Sequence, residues 1–422
     1  MTIVGLTKDE FKEVLSKNLT PSATIKTPER LFGRSRSLQQ IDRALNSMGR
    51  QVLVYGDRGV GKTSVALTAA FLFGSDDASV IYVICAKEDT FESVIQAIGK
   101  KSNSAAQNIE TPGSTGTYSA SLLGVGGSAK RGEPRVPKFE LPRSMNDALE
   151  IIRYLATKGV EKKIVVIDEM ERIGSAAERA KFAEFIKNLP EVDSQDRVKF
   201  IFCGIATTVD ELIGAHPSAG RILEPIQLLK LHHDDLWRII GTVADKLHVE
   251  VDRNILVRIG QLSDGFPHYV HLVGESMFWS MIDDESAVST VSKRHYDLGI
   301  SDALLRAEPT LRSQYEKATM KTKNTEDYGE ALWALADTTS NRRQLTEIYE
   351  YSYKRLMHKR NGRRMLPKDK FNQRLLVLRK EAHGSVVVGY GSGWFGFREN
   401  IIRGYVRLCA EARGVELGKD VP

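Results

Sequence analysis

Hydrophobic positions along this chain fall into blocks of two kinds. Residues 51–55, 80–85, 164–167 and 198–204 are short apolar runs of the sort that form strands buried on both faces. Between and before them, residues 6–19, 37–48, 90–100, 146–157 and 176–189 repeat apolar positions at helical spacing. Strands alternating with helices predict an α/β fold, a parallel sheet covered by helices on both faces. From residue 234 the strand pattern stops, and 234–247, 254–263, 267–281 and 292–305 read as the helices of a lid subdomain. A hydrophilic linker at 319–325 precedes three further helices, 327–336, 342–357 and 368–380. An apolar run at 385–390, the turn Gly391-Ser-Gly393 and the run 394–397 then read as a hairpin, and 400–412 as a closing helix. Three helices and a hairpin form a winged-helix plan.

The expected domains are an N-terminal helix and connector (1–27), an α/β core (28–232), the helical lid (233–318) and the winged helix (326–422). Residues 101–142, rich in Ser, Gly, Thr and Pro, interrupt the core. They read either as a disordered surface insertion or as a loop that orders on a partner.

The first strand runs directly into Gly56, Asp57, Arg58, Gly59, Val60 and Gly61, followed by Lys62, Thr63 and Ser64 at the start of an apolar helix. This is the Gly-x-x-x-x-Gly-Lys-Thr pattern in its strand–loop–helix setting. Glycines let successive backbone N–H groups face phosphate oxygens, and the helix N-terminus adds partial positive charge. Lys62 is placed to reach the β/γ oxygens and the Thr63 hydroxyl to ligate Mg²⁺. A nucleoside triphosphate is the implied ligand.

A second motif answers the first. The run 164–167 ends in Asp168-Glu169, a strand-end acidic pair in which Asp168 is expected to hold Mg²⁺ and Glu169 to polarise an attacking water. After the strand at 198–204, the hydroxyls of Thr207 and Thr208 either sense the γ-phosphate or cap a helix. Phosphoryl transfer also calls for cationic charge against the transition state. Arg221, just before an apolar stretch, is the candidate for a finger projecting into a neighbouring subunit, with an ordinary surface arginine as the competing reading.

Composition narrows the setting. No stretch is apolar enough to cross a bilayer and the first residues carry acids where a leader would be basic, so a cytoplasmic protein without a membrane partner is expected. Three widely spaced cysteines, Cys85, Cys203 and Cys409, suit burial better than a disulfide framework or a zinc site. The formal charge of +6 is unevenly spread. Residues 342–380 hold thirteen basic side chains against three acidic ones, a surplus of ten, so the remainder is negative by four.

Taken with Phe32-Gly33-Arg34 before the second helix and Gly265-Phe266-Pro267 in the lid, these motifs resemble those of the AAA+ ATPases. The likeness is to the branch of archaeal origin-recognition and transposon-associated ATPases, with STAND-type signalling NTPases nearby. The resemblance implies ATP and Mg²⁺ as cofactors, hydrolysis, and a homo-oligomer in which Arg221 completes a neighbour's site. It further implies that Phe32, Gly33 and Arg34 line the adenine pocket. Pro267 and His268 start the helix that carries the sensor-2 arginine in that family. The arginine is missing here, and His268 is the candidate to replace it.

A winged helix commonly sets its third helix in the major groove of DNA. Here that helix and the loop before it carry Lys359, Arg360, Arg363, Arg364, Lys368, Lys370 and Arg374, with Arg379 and Lys380 beyond and Arg398 and Arg403 flanking the hairpin. They are candidates for phosphates of double-stranded DNA. The alternative is a signalling scaffold whose winged helix meets a protein effector. Tyr349, Tyr351, Tyr353, Trp394, Phe395 and Phe397 fit core packing by their spacing.

Overall fold

The computed structural model describes residues 5–74, 79–107, 139–157, 162–213, 219–284, 287–320, 325–360 and 362–418. Most of the 101–142 insertion lies outside the described residues, as does the segment just ahead of Arg221. The chain divides into two units: Ser35–Gly56 with Lys62–Gln227, and Met1–Arg34 with Asp57–Gly61 and Leu228–Pro422.

In the first unit five strands, β1 (Gln51–Gly56), β2 (Val80–Ile84), β3 (Lys163–Asp168), β4 (Val198–Ile205) and β5 (Leu223–Leu228), form one sheet in the order β2-β3-β4-β1-β5. The β2–β3, β3–β4 and β1–β4 pairs are parallel, with Ile84 opposite Asp168, Ile167 opposite Phe202 and Gly56 opposite Ile205. Because β4 lies between β3 and β1, this register brings the C-terminal ends of β1 and β3 to one edge of the sheet, where open α/β sheets bind ligands.

Helices Ser35–Asn46, Lys62–Phe73, Phe91–Gln107, Met145–Thr157 and Ala176–Val192 accompany the sheet. Beneath them lies a core of Val165, Ile167, Phe182, Phe185, Phe200 and Phe202. Edge-to-face pairs such as Phe91–Phe182, with centroids 5.1 Å apart, order it; such a pair adds about 0.5–1.5 kcal/mol beyond area burial. Strand β5 is not apparent in the hydrophobic pattern, since Pro225 interrupts it. The proline is tolerated because β5 is the last strand in the sheet order, where one side needs no ladder donor.

The second unit begins with helix Lys8–Asn18, whose N-cap Thr7 forms a reciprocal capping box with Glu10. The lid helices are His233–Leu247, Arg253–Ser263, Pro267–Ile282 and Lys293–Arg306, close to expectation. A further helix, Pro309–Thr319, buries Leu311, Tyr315 and Ala318. Then come helix Thr325–Ala336, strand Arg343–Gln344, a continuous helical segment from Leu345 to His358 with a π turn at Ile348–Tyr353, and helix Lys368–Val377. Strands Val387–Gly389 and Trp394–Phe397 pair antiparallel, and the latter also pairs with Arg343–Gln344 in a three-stranded sheet. Helix Ile401–Glu411 closes the chain, buried along its length apart from a half-buried Glu411.

Tyr349, Tyr353, Phe395 and Phe397 are buried as expected, whereas Tyr351 and Trp394 are exposed. All three cysteines are free and buried. Burial pushes the Cys85 thiol up to about 12 and Cys203 well above the ordinary range, which suits inert packing. Among the described residues no helix is long and apolar enough to cross a membrane.

Candidate nucleotide site

The apolar run of β1 ends at Gly56, and the chain turns through Gly59 (φ +83°) and Gly61 (φ +94°), values that favour glycine, before helix Lys62–Phe73 begins. Lys62 is buried at the first position of that helix. One residue on, the Thr63 hydroxyl donates to Asp168 Oδ2 at 2.6 Å. The paired strand ends and this hydrogen bond bring together the two oxygen donors that the sequence nominated for a metal.

Asp168 is 3 % exposed and accepts two further bonds, from the Tyr82 hydroxyl at 3.1 Å and from the Glu169 backbone N–H at 2.8 Å. Burial, then the neighbouring Asp168 charge, pushes the Tyr82 phenol far up, so Tyr82 stays a neutral donor. The oxygens of Thr63 and Asp168 are hard donors of the kind a magnesium ion takes, and the pair fits that role.

Glu169 adopts a left-handed conformation (φ 58°, ψ 37°) before the short 3₁₀ turn Met170–Arg172, uncommon for a residue with a long side chain. The turn redirects the backbone sharply after β3. Its carboxylate is partly exposed and meets Arg172 Nε at 2.9 Å. Two residues later Glu171 Oε2 accepts from the Ile205 N–H at 2.9 Å, fastening the end of β4 to the same turn. Sequence reasoning missed Glu171.

Thr207 turns to its own helix: its N–H and hydroxyl both meet the Glu211 carboxylate, each at 2.7 Å. Val209, whose carbonyl accepts from Leu212 and Ile213, holds the capping position of that helix, so Thr207 lies two residues ahead of the cap and is tied to the helix through Glu211. Arg221 is exposed on the short helix Ala219–Ile222 directly before β5.

The tip of the phosphate loop, Asp57–Gly61, belongs to the other unit. There Arg34, 6 % exposed, donates to the Val60 carbonyl at 2.7 Å. Burial lowers its pKa to about 10 although Asp235 opposes the shift, and its bond to Val60 braces the loop. Phe32 lies 5.5 Å from the Arg238 guanidinium, and a Cβ on Gly33 would meet the Asp235 carboxylate and Leu231. His268 Nδ1 lies 3.0 Å from the Pro21 carbonyl, and burial lowers its pKa, so a neutral ring is favoured. A neutral imidazole held by the N-terminal connector is a poor equivalent of a sensor arginine. Pro267 opens the helix as its first residue.

The basic candidates separate into two groups. Arg363 pairs with Glu326, Asp327 and Glu330, Arg360 with Glu326 and Glu330, and Arg374 with Asp327, so these three arginines hold helix Thr325–Ala336. Lys368 bonds to Thr346 Oγ1 at 2.9 Å. Lys359, Arg364, Lys370, Arg379 and Lys380 are exposed, as is Arg398. Arg403 requires correction: it is 1 % exposed and donates to Asp264 Oδ2 at 2.7 Å, so it cannot extend a surface patch.

Residues 46–213 match the family described as AAA domain. No curated protein matches the sequence. Among solved structures, a Walker-type ATPase of Pyrococcus abyssi is similar with a TM-score of 0.51 at 15 % identity, over 92 % of this chain and 99 % of that one. Looser likenesses are to Cdc6p of Pyrobaculum aerophilum (TM-score 0.45, 14 % identity, 99 % of both chains) and to the Orc1 protein of Aeropyrum pernix in complex with DNA (TM-score 0.44, 14 % identity, 92 % of this chain and 95 % of that one). At such identities a likeness speaks to fold. The strand order and the phosphate loop agree with that match: residues 46–213 resemble the AAA domain, and the sheet has the P-loop NTPase fold.

Proposed function

We propose that the chain binds and hydrolyses ATP, and that nucleotide state and self-assembly control its grip on double-stranded DNA through a basic winged-helix domain, residues 326–422. The observation that carries the nucleotide half is the 2.6 Å bond between Thr63 and Asp168, which unites the phosphate loop and the acidic strand end. Lys62 is assigned to the β/γ oxygens and the backbone of Gly56–Gly61 to the phosphates. Thr63 and Asp168 would hold Mg²⁺, which when bound neutralises phosphate charge. Glu169 is assigned to orient and polarise the attacking water, its position next to Asp168 supporting that role. Arg221, exposed beside the edge strand, is assigned to a neighbouring subunit's site.

The DNA half rests on the helix–strand–helix–helix–hairpin order and on exposed Lys359, Arg364 and Lys370. Arg360, Arg363 and Arg374 contribute by holding the domain together, as their carboxylate partners indicate. The test is a titration of labelled duplex with ATP, with ADP and without nucleotide, over a range of salt. Binding that weakens steeply with salt and differs between nucleotides is expected. A flat salt response would contradict the DNA assignment and favour a protein effector.

A further inference from the structure

The tip of the phosphate loop is held by residues far away in sequence. Arg58 donates to Glu399 Oε2 at 3.0 Å and also pairs with Glu308. Asn400 Nδ2 donates to Asp57 Oδ2 at 2.8 Å. A Cβ built on Gly59 would lie 2.6 Å from Ile401 Cδ1, so the loop backbone and the start of helix Ile401–Glu411 touch without room to spare. Although burial opposes it, the hydrogen bond that Arg58 donates to Glu399 and the two carboxylate charges raise the Arg58 pKa.

That helix is itself anchored on the lid. The Tyr269 hydroxyl donates to the Ile401 carbonyl at 2.7 Å, and Gly404 admits the Tyr269 ring where any side chain would collide. Arg403 reaches the buried Asp264 at the end of lid helix Arg253–Ser263. The residues that touch the loop, 399–401, are therefore fixed to the lid and to the C-terminal domain at once.

Charge decides what this contact does. Two carboxylates, Glu308 and Glu399, face the Arg58 guanidinium, and a third, Asp57, accepts from Asn400 beside it, all at the tip of a loop whose purpose is to receive an anion. We propose that Glu308, Glu399 and Asn400 form a clamp on the phosphate loop that competes with nucleotide phosphates, so that nucleotide occupancy and the hold of the C-terminal helix on the loop are negatively linked. The proposal rests on the nucleotide-binding reading above and adds regulation to it. Linkage makes the effect reciprocal: whatever factor the clamp takes from nucleotide affinity, nucleotide takes from the clamp. The side chains of Arg58, Glu308 and Glu399 are 35, 30 and 35 % exposed, so solvent screens these pairs and the coupling is modest.

The test uses the full chain and a fluorescent N-methylanthraniloyl ATP. The double variant Glu308→Gln with Glu399→Gln is expected to bind it roughly fivefold more tightly than wild type. Asn400→Ala, which removes a hydrogen bond but no charge, is expected to shift affinity the same way by less. In wild type, saturating nucleotide is expected to accelerate amide hydrogen exchange at 399–404. Unchanged or weaker binding in the double variant, or greater protection of 399–404 with nucleotide, overturns the clamp. A wild type that binds no nucleotide overturns the underlying reading instead, and that outcome appears before any variant is made.

Discussion

Replacing Asp264 with alanine is expected to cost more stability than any surface change in this protein. Its side chain is 1 % exposed, with Oδ2 accepting from Arg403 Nε at 2.7 Å and from Lys230 Nζ at 2.6 Å, and Oδ1 3.5 Å from Arg407 Nη1. Arg403 and Arg407 are equally buried, and they also donate to carbonyls of Ser340, Ala336 and Thr338. Removing the carboxylate leaves two buried guanidinium groups without their counter-charge. Breaking a buried pair from one side costs about 3–5 kcal/mol, and at roughly 2–4 °C per kcal/mol for a unit of this size the melting point falls by about 6–20 °C. Burial tends to raise the Asp264 pKa, but Arg407, Arg403 and Lys230 together hold it below the usual carboxylate value. The stabilisation is thus complete above the unfolded pKa of about 3.9 and disappears as pH falls through the lower folded value. Calorimetry with urea unfolding at neutral and acid pH would show a large deficit at pH 7 that shrinks in acid. A loss below about 1 kcal/mol at pH 7 would refute this account of the network.

Other outcomes follow from the same geometry. Lys230, whose pKa burial lowers to about 8 despite Asp264, is charged in the unfolded chain up to about 10.4; stability should therefore rise with pH between these values, which urea titrations at pH 8 and 10 would check. Alanine at Lys359, Arg364 and Lys370 together should reduce the salt slope of duplex binding by nearly one unit for each phosphate no longer neutralised. Arg363→Ala should leave that slope in place and instead destabilise the C-terminal domain by about 1–3 kcal/mol, because the nearly buried Glu330 loses the nearer of its two arginine partners and keeps only Arg360 at 3.5 Å; anisotropy and thermal melts separate the two cases. Arg221→Ala should lower ATP turnover at least tenfold with little change in nucleotide Kd, and mixing it with a Lys62→Ala chain should restore turnover if the arginine acts across subunits.

Much of the nucleotide site was legible because its chemistry is written in consecutive residues. Gly56 to Thr63 and Ile164 to Glu169 each combine an apolar strand with the groups at its end, and the parallel register does the rest. Helix Pro309–Thr319 was missed despite Leu311, Tyr315 and Ala318 at helical spacing, since three apolar positions are a weak stripe in a polar segment. The charge count from 342 to 380 was blind in another way: the acids that engage Arg360, Arg363 and Arg374 lie on the preceding helix, outside the window counted. Interactions between distant segments, such as Arg58 with Glu399 or His268 with Pro21, leave no local trace in a sequence. Arg403 was misplaced for the same reason, because a buried and an exposed arginine look alike until their partners are known.

The most direct test of the central claim is steady-state phosphate release from Mg²⁺-ATP, measured alongside retained nucleotide for wild type, Lys62→Ala and Glu169→Gln. The account predicts turnover in wild type, no bound nucleotide in Lys62→Ala, and in Glu169→Gln bound ATP with turnover reduced at least a hundredfold. Turnover at the wild-type rate in both variants would contradict it.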